Sequence, residues 1–204
     1  MIVTRIESVT KTKFKVFLNE QFAFVLYKGE LSRYQIQEGK ELSQSLIDTI
    51  QTEVILKRAK LRAMHLLNAM DRTEEQLRMK LRQGLYTEDI IDKALQYVKS
   101  FGYVEDENYA VRYIRNRQNA KSRKELYAAL CQKGVPREYI ESAMDSCYEE
   151  MDEMEAIRRL VEKKRFSPED STDAEKKKMY DFLLRKGFRS EDIRQVIQVS
   201  SWNA

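Results

Sequence analysis

Apolar positions recur along this chain in two rhythms. Over residues 1–35 they alternate with polar ones: Ile2, Thr4 and Ile6, then Phe14, Val16 and Leu18, then Phe22, Phe24 and Leu26. The breaks fall at Thr10-Lys11-Thr12-Lys13 and Asn19-Glu20-Gln21. A period of two in β-branched and aromatic residues predicts a three-stranded antiparallel meander with one apolar face. That face must be covered, by the strands' own curl or by the first helices. Short helices are expected at about Lys28–Tyr34 and Ser43–Ile47. The spacing then lengthens to three and four, and Ile55, Ala59, Ala63, Leu66 and Leu67 predict a helix from Glu53 to Met70.

From there the pattern repeats. Leu77, Leu81, Ile91, Ala94, Leu95 and Val98 recur 49 residues later as Leu126, Leu130, Ile140, Ala143, Met144 and Cys147. A further 53 residues on stand Met179, Leu183, Ile193, Val196, Ile197 and Ser200. Leu85, Gly134 and Gly187 hold one turn position, each followed by an apolar residue. Thr73-x-x-Gln76, Ser122-x-x-Glu125 and Thr172-x-x-Glu175 read as capping boxes opening equivalent helices. Self-similarity at such a period marks an array of helical repeats. In the last copy Ser190 is expected to cap the final helix, and Trp202 to fold back on it.

The joint between the first two copies reads Phe101-Gly102-Tyr103-Val104-Glu105-Asp106-Glu107-Asn108-Tyr109-Ala110. Gly102 suits a left-handed helix end, with Tyr103 and Val104 as an apolar foot. Asp106 sits where an N-cap belongs, and Tyr109, Ala110, Tyr113 and Ile114 open the next stripe. A structural corner accounts for all of these without a binding role.

Charge adds the one uneven feature. Residues 1–53 balance seven basic against seven acidic. Between Tyr109 and Arg137 there are eight basic residues and one acid, Glu125; from Glu138 to Glu155 there are eight acids and no base. Solvated helices usually mix their signs, so this segregation points to a surface. Lys121-Ser122-Arg123-Lys124 precedes a helix N-terminus, which also favours an anion. Nucleic-acid phosphate or an acidic protein face would suit it, and so would pairing with the chain's own acidic block.

Little else invites chemistry. The chain has one His, two Cys and no phosphate-cradling glycine loop. His65 has no ligand cluster around it in sequence, and Cys131 and Cys147 fall at core-facing helical positions, as small buried hydrophobes would. No enzyme, cofactor or metal is expected. With no apolar run long enough for a membrane span and no signal-peptide core, the expected setting is the cytoplasm. With 34 % charged residues, 42 % apolar ones and only two Pro, the composition favours helices with solvated outer faces.

The tandem units, the joint Gly102-Tyr103-Val104-Glu105-Asp106, Tyr109-Ala110, and the Lys133-Gly134 and Lys186-Gly187 turns resemble the RecX family of bacterial regulators of the RecA recombinase. The resemblance covers roughly residues 54–200, with Glu105 standing for an Asp and Leu85 for a Gly of the family pattern. The fold expected is mainly α. Three tandem three-helix repeats (53–104, 105–150, 151–204) would form an elongated, curved array behind an N-terminal β-meander and short helices (1–52). The resemblance implies a monomeric inhibitor or modulator that binds in the groove of the RecA–DNA filament. There it would limit filament growth, ATP hydrolysis and strand exchange, and so moderate recombination, DNA repair and the SOS response. Single-stranded or duplex DNA would be reached through the filament or directly. The alternative is a nucleic-acid-binding repeat protein acting without RecA. Charge clustering nominates Arg112, Arg115, Arg117, Lys121, Arg123 and Lys124 as the contact surface, extended by Arg58, Arg62, Arg158, Arg159, Lys163 and Lys164. Gly102, Tyr103, Asp106, Tyr109, Ala110, Gly134 and Gly187 form the structural signature.

Overall fold

The computed structural model describes residues 1–118, 120–148 and 153–198. They form two compact units, one of residues 1–104 and one beginning at Glu105.

In the first unit β1 (Val3–Ser8), β2 (Lys13–Leu18) and β3 (Gln21–Tyr27) make the expected antiparallel meander, in the order β1-β2-β3. Asn19 and Glu20, at φ 47° and 66°, turn β2 into β3 as a two-residue left-handed hairpin loop. The alternation in β1 departs from the sequence reading at its start: Val3 is buried and Ile2 is 50 % exposed. A bulge is the cause. Val3 faces Leu18 but Arg5 faces Phe17, leaving Thr4 as the extra residue and reversing the phase of everything before it.

After α1 (Lys28–Arg33), the chain enters α2 (Gln44–Thr49), where the Ser43 hydroxyl accepts from the Leu46 N–H at 3.2 Å. There is no new start at Glu53. The helix continues through a π-helical stretch, Ile50–Leu56, into α3 (Lys57–Ala69). The apolar spacing explains the widening. Ile47, Ile50, Ile55, Ala59 and Ala63 are all buried, and the step of five from Ile50 to Ile55 would swing out of phase in a regular α-helix. A wider turn keeps both isoleucines on the core side.

The repeat then closes with α4 (Glu74–Gln83) and α5 (Glu88–Ser100). Leu77, Leu81, Ile91, Ala94, Leu95 and Val98 are buried together with Ala59 and Ala63 and with Val16, Leu18, Phe24 and Leu26 of the sheet. The meander's apolar face is therefore covered by the first repeat's helices.

The second unit holds the other two repeats: α6 (Asp106–Arg115), α7 (Arg123–Gln132) and α8 (Arg137–Tyr148), then α9 (Glu153–Lys163), α10 (Asp173–Arg185) and α11 (Ser190–Ile197). The repeating stripe is buried as its spacing requires, except that Val196 is only partly covered; Ser200 and Trp202 lie outside the described residues. Each repeat keeps its own core, centred on Leu126, Leu130 and Ile140 in the second and on Ile157, Leu183 and Ile193 in the third. The stripes were expected to need stacked neighbours for burial, but three helices suffice.

All three capping boxes form. Helix ends share one device as well. At positions 85, 102, 134, 165 and 187 the backbone turns left-handed, and the next N–H reaches back five residues, as from Tyr103 to the Val98 carbonyl at 3.0 Å. Leu85 performs this at φ 62° without being glycine.

Four local expectations fail. Glu105 and not Asp106 is the N-cap residue of α6, and its side chain holds Asn108 instead of a backbone N–H. Ser190 is the first residue of α11, and its hydroxyl is 2.7 Å from the Tyr180 hydroxyl. Tyr103 is 54 % exposed and stacks on Phe101, so Val104 alone anchors the joint. Cys131 is exposed, whereas Cys147 is buried; both are free thiols. Among the described residues no helix is long and apolar enough to cross a membrane.

Candidate basic binding surface

The nominated cations of the second repeat follow one another around a helix–turn–helix corner. Arg112 and Arg115, one turn apart, are exposed on α6. Arg117 is exposed in the turn, its guanidinium 4.2 Å from the centre of the Tyr113 ring. Lys121 is half-buried, and Arg123 and Lys124 are exposed in the first turn of α7.

One pairing ties this corner to the acidic block: Arg123 Nη2 lies 3.0 Å from Asp145 Oδ1, with both side chains well exposed. An exposed ion pair of this kind contributes about 0–1 kcal/mol, so it leaves Arg123 available to a stronger partner.

The third repeat joins the corner through a seam. The Ser122 hydroxyl is fully buried, accepts from the Glu125 N–H at 3.2 Å and donates to the Lys186 carbonyl. Lys186 Nζ is 3.4 Å from Glu125 Oε1. Gly187 makes the approach possible: a Cβ there would lie 2.9 Å from the Ser122 oxygen. Beside the seam is a recess of about 450 Å3 whose walls include Arg123, Lys124, Tyr127 and Arg189. Arg189 thus joins the nominated group, although charge clustering missed it because it lies 65 residues from Lys124 in the chain. The repeat register could have found it, since the Gly134 and Gly187 turns are equivalent.

The remaining nominees divide. Arg158 and Arg159 are exposed on α9 and share Glu155, at 3.6 and 3.1 Å. Lys163 ends that helix, and Lys164 sits 5.1 Å over the Phe182 ring. Arg62 is exposed on α3. Arg58 is different, being half-buried, bound to Glu30, donating to the Val25 carbonyl at 3.1 Å and lying 4.6 Å over the Tyr27 ring. It fastens α3 to β3 and is removed from the contact surface. Arg58 and Arg62 belong to the first unit and the others to the second.

The signature residues act as fold determinants. Ala110 is fully buried, Tyr109 stacks on Tyr113 with ring centres 6.2 Å apart, and Gly102, Gly134 and Gly187 take the left-handed helix ends. No group of three or more His, Cys, Asp or Glu that could hold a metal occurs among the described residues.

Comparison with known proteins agrees with this architecture. Family models described as the first, second and third three-helix domains of RecX match residues 59–97, 106–144 and 151–197. The chain is 32 % identical over 202 residues to a protein named Regulatory protein RecX from Caldanaerobacter subterraneus, covering 98 % of this chain and all of that one. A protein of the same name from Clostridium botulinum is 26 % identical, over 95 % of this chain and 92 % of that one. A crystal structure of regulatory protein RecX superposes with a TM-score of 0.63 at 24 % identity, covering 97 % of this chain and 98 % of that one, and so supports the fold. The crystal structure of RecX from Lactobacillus salivarius gives 0.61 at 28 % identity, over 70 % of this chain and 94 % of that one. With its three helical repeats and near full-length similarity to these regulators, the chain belongs to the RecX family of regulatory proteins.

Proposed function

We propose that this protein regulates the RecA recombinase by lying in the groove of the RecA–DNA filament and limiting its growth, and with it ATP hydrolysis and strand exchange. The observation that carries this reading is the exposed basic corner of the second repeat, Arg112 to Lys124, on a chain of a regulatory family. A filament groove offers nucleic-acid phosphate and protein carboxylates side by side, and a run of guanidinium and ammonium groups can engage both. Arg115, Arg117, Lys121, Arg123 and Lys124 would make the contact, with Arg62 and Lys163 extending it. The protein would work as a monomer in the cytoplasm and without a cofactor.

The test is RecA's single-strand-DNA-dependent ATP hydrolysis with substoichiometric amounts of this protein, beside a variant carrying Arg115, Arg117, Arg123 and Lys124 all changed to Glu. Inhibition that the variant loses supports both the function and the corner. Inhibition that survives removes the corner and keeps the function. If RecA is unaffected while DNA is bound, the direct nucleic-acid reading takes over. Its signature is a log–log salt slope of about −0.7 per phosphate neutralised on single strands.

A further inference from the structure

The first unit contains a feature that the basic corner does not explain. Between β3, the helix from the π-helical stretch into α3, and the turn joining α4 to α5 lies a cleft of about 660 Å3. That is within the range of roughly 300–1,000 Å3 typical of ligand sites. Lys13, Arg62, His65 and Lys80 stand on its walls, and no carboxylate lines it among the described residues.

The setting makes this imbalance informative. Elsewhere in the unit helical cations are paired: Lys57 with Glu53, Arg78 with Glu74, Glu88 and Asp92, Arg82 with Glu75 and Glu88, Lys93 with Asp89, and Lys99 with Glu74. Arg58, at the back of the cleft, is neutralised by Glu30. Arg62, His65 and Lys80 form no ion pair among the described residues. Cations left together without a counter-charge make a positive potential inside a concave wall, where field lines concentrate.

The rest of the lining is apolar and specific. Leu61 is 69 % exposed at the lip. Leu85 also lines the cleft and is held left-handed at φ 62°, a backbone conformation that costs a leucine about 1–2 kcal/mol and glycine almost nothing. The adjoining Gly84 leaves room for Tyr86 to lie against the turn, since a Cβ there would be 2.9 Å from Tyr86 Cε2. Strain kept at a cleft wall is a mark of a built site. The rings do not offer a stacking platform: Tyr27 carries the Arg58 guanidinium at 4.6 Å and the Lys13 ammonium at 5.4 Å.

We propose that this cleft docks an acidic peptide segment of a protein partner. Its carboxylates meet Lys13, Arg62, His65 and Lys80, and one aliphatic or aromatic side chain packs against Leu61 and Leu85. Single-stranded nucleic acid would satisfy the charges but would leave the apolar lip unused and find no open ring face on which to stack a base. The assignment rests on the geometry of the first unit and is independent of the RecA reading.

Fluorescence anisotropy with the full chain tests it. The probe is a short fluorescein-labelled peptide of Asp and Glu around a central Leu-Phe pair. Companion probes carry Gly-Gly in place of the Leu-Phe pair, Lys in place of every acid, or are an oligo-dT. The acidic, anchored peptide is expected to bind. Its affinity should fall about tenfold or more in a Lys13→Glu, Lys80→Glu double variant, in Leu61→Asp, and on loss of the anchor. All three substituted residues are at the surface, and circular dichroism confirms that the variants fold. Failure of the acidic peptide to bind, or binding that ignores both variants, overturns the proposal. So does oligo-dT binding that these variants abolish while peptide binding stays put.

Discussion

The Ser122 hydroxyl, at the start of α7, donates to the backbone carbonyl of Lys186, at the end of α10. One side chain therefore both caps a helix of the second repeat and satisfies a helix end of the third. Gly187 is its necessary neighbour, left-handed at φ 91° and without a Cβ to strike that hydroxyl. Gly187→Ala is expected to cost about 1–3 kcal/mol, from backbone strain and the forced retreat of Ser122. Ser122→Ala should cost about 1–2 kcal/mol through the lost cap and the lost cross-repeat bond. Urea titrations of the two variants and their double should show less than additive losses, because both changes break the same seam. Strict additivity would mean that the seam is not a unit.

Gly84 gives a prediction of unusual sign. Its φ is −78°, so replacing it by Ala ought to stabilise the chain by restricting the unfolded state. The new Cβ would instead lie 2.9 Å from Tyr86 Cε2 and 3.1 Å from the Leu81 carbonyl oxygen. A net loss of about 1 kcal/mol is expected in thermal or denaturant melts. Stabilisation would show that the Tyr86 ring moves away freely.

Arg58 and Arg62 are one helical turn apart on α3 and should behave oppositely. Arg58→Ala removes the partner of the Val25 carbonyl, the Glu30 pairing and the cover of Tyr27, for an expected loss of about 1–3 kcal/mol. Arg62→Ala should change stability by less than about 0.5 kcal/mol. Equal effects on melting would contradict the separation of a fastening arginine from an available one.

Acid should loosen the α4–α5 hairpin before it reaches the core. The hydrogen bond from Arg82 holds the Glu88 carboxyl below its usual value, opposed by partial desolvation and helped by the charges of Arg82 and Arg78. Since the folded value is depressed, this contribution is present above the unfolded value, about 4.3 for Glu, and is lost as pH falls through the folded one. Glu175 follows the same sign through its hydrogen bonds to Thr172. Carboxyl chemical shifts followed by NMR below about pH 5 should give low midpoints for both residues. Glu88→Gln should make stability less dependent on pH in that range. A midpoint for Glu88 at or above that of an unstructured peptide would refute the assignment.

The sequence displayed some features of the fold far more clearly than others, and the reasons are physical. A buried stripe such as Leu126, Leu130, Ile140 and Ala143 leaves its period in the residues themselves, and so do the three capping boxes, because each satisfies a local geometric demand. The π-helical stretch was written there too, in the five-residue step from Ile50 to Ile55, but it reads as a helix boundary unless that step is counted. The bulge at Thr4 could not be seen, since its cause is pairing with β2. Asp106 and Ser190 have the right side chains for caps but stand one residue inside the helix. At the basic surface, local charge counting found the corner from Arg112 to Lys124. It could neither separate Arg58, whose partners Glu30 and Val25 lie about thirty residues away, nor add Arg189 across the seam.

The π-helical stretch also bears on how this chain tolerates change in length. A π turn holds one residue more than regular helix allows, so deleting a single residue between Ile50 and Leu56 would let the segment relax to α-helix. Everything after it would then rotate by about 100° around the axis relative to α2. Ala59 and Ala63 would turn out of the core, and Arg62 and His65 would leave the wall of the cleft. Among related chains, helix length here should therefore vary only together with the spacing of the buried isoleucines, as a frame that has to be kept.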